Sequence, residues 1–277
     1  MTLPTQTAHD GLTLPAIGFG TYKLNGRDGA DAVCSAIEAG YRLIDSAFNY
    51  ENEGAVGEAV RTCGVPREEL IVTSKLPGRH HSYDEALRTV EESVLRMGLD
   101  HIDLYLIHWP NPSKGLYVEA WRALIEAQRL GLVRHIGVSN FLPGHIESIV
   151  RATGVVPSVN QVELHPYFQQ AEQIAYDRAH GIITESWSPI GRMRDVMADP
   201  TIAQIAAAHG VTPVQAVLRW HVQKGLVAIP KSAHPERQRE NLALDFELSD
   251  ADMEAIAELD NPEGRYKAQD PRWYEEF

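Results

Sequence analysis

Residues 71–108, IVTSKLPGRHHSYDEALRTVEESVLRMGLDHIDLYLIH, contain one complete period of this chain. Ile71–Lys75 and Ile102–His108 are short, β-branched or aliphatic and almost continuous in apolar residues. Strands buried on both faces of a parallel sheet read this way. Between them Ala86, Leu87, Val90, Val94 and Met97 recur along one helical face of Tyr83–Met97, and Gly98 stands where a left-handed cap ends a helix. Outward from this unit the same period repeats. Strand-like runs occur at Ile17–Thr21, Leu43–Ala47, Arg134–Ser139, Ser158–Leu164, Ile182–Ser188 and Val227–Pro230. Helical patterns occur at Asp28–Ala39, Tyr117–Leu130, Pro143–Ala152, Gln170–His180 and Pro213–Gln223, each followed by a glycine stop. Pro200–His209 reads as an extra helix, and Pro235–Asn241 and Ser249–Leu259 close the chain. Before the first strand, Thr7 to Ile17 alternate loosely around Asp10-Gly11, a pair suited to a tight hairpin turn. Eight strand–helix units without a linker predict an α/β fold. The expected architecture is a (β/α)8 TIM barrel with an N-terminal hairpin plug and extra helices near the C-terminus, a single domain over residues 1–277. The alternative is an open doubly wound sheet. It asks for a glycine fingerprint after the first strand, which Gly18-Phe19-Gly20-Thr21-Tyr22 does not complete.

The chain of 277 residues is 44% hydrophobic and 23% charged, an ordinary globular composition. Its 38 acidic and 25 basic residues leave a net charge of −13, which disfavours nucleic acid and anionic membranes as partners. No apolar run approaches the ~20 residues of a membrane helix. The first ten residues lack the basic start and apolar core of a signal peptide. Cys34 and Cys63 are too few for a disulfide scaffold or a four-ligand zinc site. A cytoplasmic monomer acting on a small molecule, without a metal, is the expectation.

In a barrel of this kind the chemistry sits at the C-terminal ends of the strands. Those ends carry Asp45, with Tyr50 in the next loop, then Lys75, His108 and Trp109, Ser139 and Asn140, Gln161, Trp187 and Ser188, and Lys231 and Ser232. Each alone has a plain structural reading: a loop cap, a solvated strand end, a satisfied core histidine. Together Asp45, Tyr50, Lys75 and His108 form a proton-donating set. A close ammonium stabilises a phenolate and so lowers a tyrosine's pKa from its usual ~10. Asp45 can hold that ammonium, and His108 can orient a carbonyl oxygen. Such a set suits protonation of an alkoxide forming at a carbonyl carbon.

The chain resembles the aldo-keto reductase superfamily, within it the bacterial 2,5-diketo-gluconate reductases. The match runs through Gly18-Phe19-Gly20-Thr21-Tyr22, Leu43-Ile44-Asp45-Ser46-Ala47 with Tyr50 and Glu53, and Thr73-Ser74-Lys75. It continues through Leu104–Pro110, Ile136–Phe141, Asn160–Glu163, Leu218-Arg219-Trp220 and Ile229-Pro230-Lys231-Ser232. The resemblance implies NADPH as cofactor and hydride transfer to an aldehyde or ketone, with Tyr50 as general acid, Lys75 and Asp45 tuning it and His108 orienting the substrate. It implies cofactor contacts from Gly20, Thr21, Tyr22, Asp45 and Ser188. Ser139, Asn140 and Gln161 would hold the nicotinamide carboxamide and Trp187 would stack on the ring. Lys231, Ser232 and Arg237 would grip the adenosine 2′-phosphate, and Glu240 and Asn241 would contact adenine. Tyr22, Phe19, Asn49, Trp109, His108 and Trp273 are the candidates for the substrate pocket. The segment after His108 and the tail after Leu259 are short, which implies an open pocket of broad specificity. Two other readings remain: a non-catalytic NADP(H)-binding redox sensor resembling potassium-channel β subunits, and a phosphate-binding isomerase barrel. The second accounts for the cationic end of the last strand but not for Tyr50 with Lys75.

Overall fold

A computed structural model describes residues 3–191 and 196–276. Strands β1 (Thr5–Thr7) and β2 (Thr13–Pro15) pair antiparallel and turn through Gly11, whose φ of +91° suits glycine. Eight parallel strands follow: β3 (Phe19–Gly20), β4 (Leu43–Asp45), β5 (Ile71–Leu76), β6 (Ile102–Ile107), β7 (Val133–Ser139), β8 (Val159–Glu163), β9 (Ile183–Trp187) and β10 (Val227–Ala228). Each pairs with its neighbour in sequence. The ring closes because Ile17 bridges Ala228 in parallel. There Gly18 N–H donates to the Ala228 carbonyl at 2.8 Å, and Ala228 N–H donates to the Ala16 carbonyl at 2.9 Å. This closure excludes the open doubly wound sheet. Every predicted strand is present. Most lose a residue or two at the C-terminal end, where the backbone leaves the ladder to form the mouth.

The helices are α1 (Gly26–Ala39), α2 (Glu53–Thr62), α3 (Tyr83–Met97), α4 (Tyr117–Arg129), α5 (Pro143–Thr153), α6 (Ala171–Ala179), α7 (Pro200–His209), α8 (Pro213–Gln223), α9 (Pro235–Leu242) and α10 (Asp250–Ala257). Helix α2 was not anticipated. Its EGAVGEAVRT carries two glycines, which lower helix propensity and blur the apolar period. The tertiary structure explains Gly57: a Cβ there would lie 1.9 Å from the Met97 carbonyl oxygen, so only glycine lets α2 approach the end of α3.

The main core lies between barrel and helices, with Val33, Ile37, Val72, Val90, Trp121 and Phe141 fully buried. A second apolar layer fills the barrel's lower interior. Ala8, Leu12 and Leu14 of the hairpin there meet Leu43, Leu104, Leu106, Val159 and Val227. The hairpin is thus the expected plug. It leaves the opposite end for the inward polar residues Asp45, Lys75, Gln161 and Glu185. Among the described residues no helix is long and apolar enough to cross a membrane.

Candidate active site

A cavity of about 940 Å³ opens at the C-terminal ends of the strands. That is the upper end of the ~300–1,000 Å³ usual for ligand pockets. At its floor Lys75, fully buried, donates from Nζ to Asp45 Oδ1 at 2.7 Å, Asp45 Oδ2 at 2.8 Å and the Ser46 carbonyl at 2.7 Å. Burial opposes the ammonium, but Asp45 and then Tyr50 outweigh it, and the pKa of Lys75 ends above the lysine range. Nζ lies 5.1 Å from the centre of the Tyr50 ring, close enough for its charge to favour the phenolate. Tyr22 and His108 meet the same ring edge-on, at 5.1 and 5.9 Å between centroids. Asp45, Tyr50, Lys75 and His108, predicted from three strand ends and a loop, are therefore one cluster.

One expectation is reversed. The Tyr50 pKa lies above, not below, its ordinary value. Burial raises it most, Lys75 lowers it, and the carboxylates of Asp45 and Glu276 raise it again. Asp45 neutralises much of the field that Lys75 was expected to supply.

The loops bearing these groups are tied together beneath the surface. Asn52, buried, donates from Nδ2 to the carbonyls of Thr21 (2.8 Å) and Leu24 (3.0 Å) and accepts from Ser46 Oγ at 2.7 Å. Thr21 Oγ1 donates to the Asp45 carbonyl at 2.9 Å. Glu53 accepts from Ser74 Oγ at 2.5 Å, locking the residue beside Lys75.

Gly20, Thr21, Tyr22, Asp45, Asn140, Gln161, Trp187, Ser188 and Lys231 line the cavity. Asn140 and Ser188 leave their strands with φ of +61° and +49°. Asn140 donates to the His108 carbonyl and to Ser139 Oγ, both at 3.0 Å, and accepts from Trp187 Nε1 at 2.8 Å. Ser139 Oγ donates to the Gln161 carbonyl at 2.8 Å and stands behind the cavity wall. Ser232, Arg237, Glu240 and Asn241 also lie outside that wall, on α9 and the turn before it. Arg237 and Glu240 are exposed, whereas Asn241 is buried. Gln238, which no sequence motif singles out, holds the turn by donating to the carbonyls of Ala32 and Ser232, both at 3.0 Å.

For the substrate pocket, Tyr22, Asn49, His108 and Trp109 are at the cavity and two candidates are not. Phe19 is fully buried outside the barrel, edge-on to Tyr41 at 5.2 Å, because Gly18 and Gly20 take the inward positions of that strand. Trp273 is 61% exposed, covered by the Arg272 guanidinium. Its neighbour Tyr274 faces Trp109 instead, at 4.5 Å between centroids. The short tail nevertheless reaches the cavity, where Gln269, Tyr274 and Glu276 line its wall. Glu276 accepts from Gly78 N–H at 2.9 Å and from Asn49 Nδ2 at 2.8 Å, and its Oε1 lies 2.7 Å from His108 Nδ1. Asn111 clamps the Glu276 backbone on both sides, at 2.7 and 3.0 Å. Burial opposes ionisation of Glu276, but His108 and these donors outweigh it and hold its pKa below the usual range. No local signal in the sequence joins residue 276 to residue 108; the contact exists only once the tail folds back.

Trp187 is half-buried at the cavity with its N–H fixed on Asn140. A ring stacking there should have its fluorescence quenched by NADPH. Trp187→Ala should weaken cofactor binding by ~0.5–1.5 kcal/mol beyond lost area. Unchanged quenching and affinity in the variant would show that the indole faces elsewhere.

Comparison with known proteins agrees with this geometry. Residues 16–261 match the aldo/keto reductase family, and the chain belongs to it. It is 50% identical over 276 residues to 2,5-diketo-D-gluconic acid reductase B of a Corynebacterium, covering 99% of each chain. The structure of a mutant of Gox0644 in complex with NADPH is similar at a TM-score of 0.93 and 44% identity, covering 98% of each chain. The Bombyx mori aldo-keto reductase in complex with NADP is similar at a TM-score of 0.89 and 33% identity, covering 100% of this chain and 99% of that one.

Proposed function

We propose that this protein is an NADPH-dependent aldo-keto reductase that reduces aldehydes or ketones to alcohols, with keto-sugars such as 2,5-diketo-gluconate and α-dicarbonyls as the substrate classes to examine first. A single-domain cytoplasmic monomer fits the same reading. The observation that carries it is the buried Lys75–Asp45 pair beneath Tyr50, beside His108 at the cavity. The residues present suit the cofactor. The cavity offers the Trp187 ring, the Lys231 cation and, at Gln161, an amide oxygen with no protein donor among the described residues.

NADPH, when bound, supplies the hydride. Tyr50 supplies the proton. Its raised pKa keeps it protonated at neutral pH, and it can still give up that proton because an alkoxide is far more basic than a phenolate. Lys75 stabilises the phenolate left behind, and Asp45 holds Lys75 in place. His108, steadied by Glu276, orients the carbonyl oxygen. Trp109, Tyr22 and Tyr274 give that oxygen's carbon skeleton an aromatic wall. A panel of aldehydes, α-diketones and keto-sugars, followed by NADPH absorbance, tests this reading. Oxidation of one bound equivalent without steady turnover would favour the redox-sensor alternative.

The 2′-phosphate contact is assigned to Lys231, Ser232 and Arg237, with Glu240 and Asn241 toward adenine. A chain of net charge −13 does not attract phosphate by its overall field, so any preference for NADPH is local. Arg237 is exposed in the first turn of α9 and offers a planar fork for a phosphate. Charge-assisted bonds contribute ~1.5–3 kcal/mol each. Arg237→Ala should therefore raise the Kd for NADPH by about ten- to a hundredfold and leave that for NADH nearly unchanged. Equal weakening of both would assign Arg237 to supporting the turn.

A further inference from the structure

Glu185 is fully buried in the barrel interior and stands directly across from Gln161 in the β8–β9 register. Gln161 Nε2 donates one N–H to Asp45 Oδ2 at 2.8 Å and the other to Glu185 Oε2 at 2.9 Å. Both hydrogens of the amide nitrogen are thus spent inside the barrel, while its Oε1 takes no donor among the described residues. Asp45 is already held by Lys75 through both oxygens. Turned over, the Gln161 amide would set its oxygen against the Asp45 carboxylate and lose the bond to it, so Asp45 dictates its orientation. The other two residues assigned to the carboxamide are committed. Asn140 is engaged by Trp187, His108 and Ser139, and Ser139 by Gln161 and Asn140.

We propose that Glu185 is a positioning residue for Gln161: with Asp45 it holds the amide nitrogen inward, so that Oε1 is the acceptor presented to the carboxamide N–H of the nicotinamide. The proposal rests on the NADPH reading above. An apolar residue at 185 would orphan one amide N–H inside the barrel and leave Asp45 as the only anchor of the amide nitrogen, so the amide would tilt about that one bond and Oε1 would no longer be fixed on the carboxamide. Burial, and then the neighbouring Asp45 carboxylate, push the Glu185 pKa well above the usual carboxyl range and so favour its neutral form. Its other oxygen, Oε1, has no protein partner and is buried.

The test compares NADP⁺ with its 3-acetylpyridine analogue, which carries a methyl ketone instead of the carboxamide and has no N–H to donate. Isothermal titration of the full-length wild type should show NADP⁺ binding about tenfold tighter, the effect of one hydrogen bond of ~1.4 kcal/mol. In Glu185→Leu the ratio should fall toward one, through weaker binding of NADP⁺. In Glu185→Gln it should persist, because a glutamine carbonyl accepts the same bond and matches the neutral carboxyl. Equal affinities in the wild type overturn the proposal, as does a ratio that the leucine substitution leaves intact. Loss of both affinities in parallel overturns it too, since that reports a merely structural role. Glu185→Val, smaller and at home in a strand, repeats the test should the leucine variant not fold. Failure of the NADPH reading is distinct: the wild type would bind neither dinucleotide.

Discussion

Replacing Tyr50 by phenylalanine should lower the rate of carbonyl reduction by at least about a hundredfold, the scale of general acid catalysis, while NADPH still binds. The substitution removes one oxygen. The ring keeps its edge contacts with Tyr22 and His108, and Lys75 keeps Asp45 and the Ser46 carbonyl. The geometry therefore survives without the proton. A second consequence concerns pH. A donor with a raised pKa is active in its protonated form and is lost as pH rises through that pKa. Reduction in the wild type should show no loss from Tyr50 through neutrality, and the alkaline fall should lie above the ordinary tyrosine value of ~10. Stopped-flow measurement of the hydride step across pH reads both effects. Near-normal turnover in the phenylalanine variant would remove Tyr50 from the role, and an alkaline fall well below pH 10 would return control to the Lys75 field.

Replacing Lys75 by methionine should cost more than activity. The Asp45 carboxylate is 2% exposed and would lose the ammonium that binds both its oxygens. A buried ionised carboxylate that loses its cation and keeps only the Gln161 amide as side-chain donor costs roughly 3–5 kcal/mol. In a chain of this size that lowers the melting temperature by on the order of 10 °C. Turnover should also collapse, because nothing then stabilises the Tyr50 phenolate. Stability and chemistry separate in the double variant Lys75→Met with Asp45→Asn. With the orphan charge removed, the melting temperature should recover most of the loss, and turnover should not. A single variant that melts like the wild type would mean that Asp45 finds another partner and that the pair is not what holds the barrel's upper interior.

The fold was legible because its signals are local and repeated. Continuous apolar strands such as Leu104 to Ile107, helices with one apolar face such as α3, and glycines closing them give the alternation before any contact is known. The cluster of Asp45, Tyr50, Lys75 and His108 was legible for a related reason. Once strands are parallel and consecutive, their C-terminal ends share one rim, so residues far apart in sequence are neighbours by topology. Helix α2 was not legible, because two glycines hid it and only the close approach to Met97 explains Gly57. Phe19 was misplaced because strand alternation decides inward from outward, and a two-residue strand shows too little of it. Trp273 was misplaced because the tail has no periodicity to read.

The chain by itself determined the barrel, its plug and the meeting of Asp45, Tyr50, Lys75 and His108 at one rim, because backbone periodicity and strand order need no side-chain geometry. The tertiary structure alone decided the electrostatics. Lys75 was visible in the sequence, but its field is largely spent on Asp45, and burial leaves Tyr50 with a raised pKa rather than a lowered one. The positions of Glu185 under Gln161 and of Glu276 against His108 were likewise settled only by folding. Desolvation and charge–charge energies depend on distance and burial, and neither exists until the strands have closed and the tail has folded back against His108.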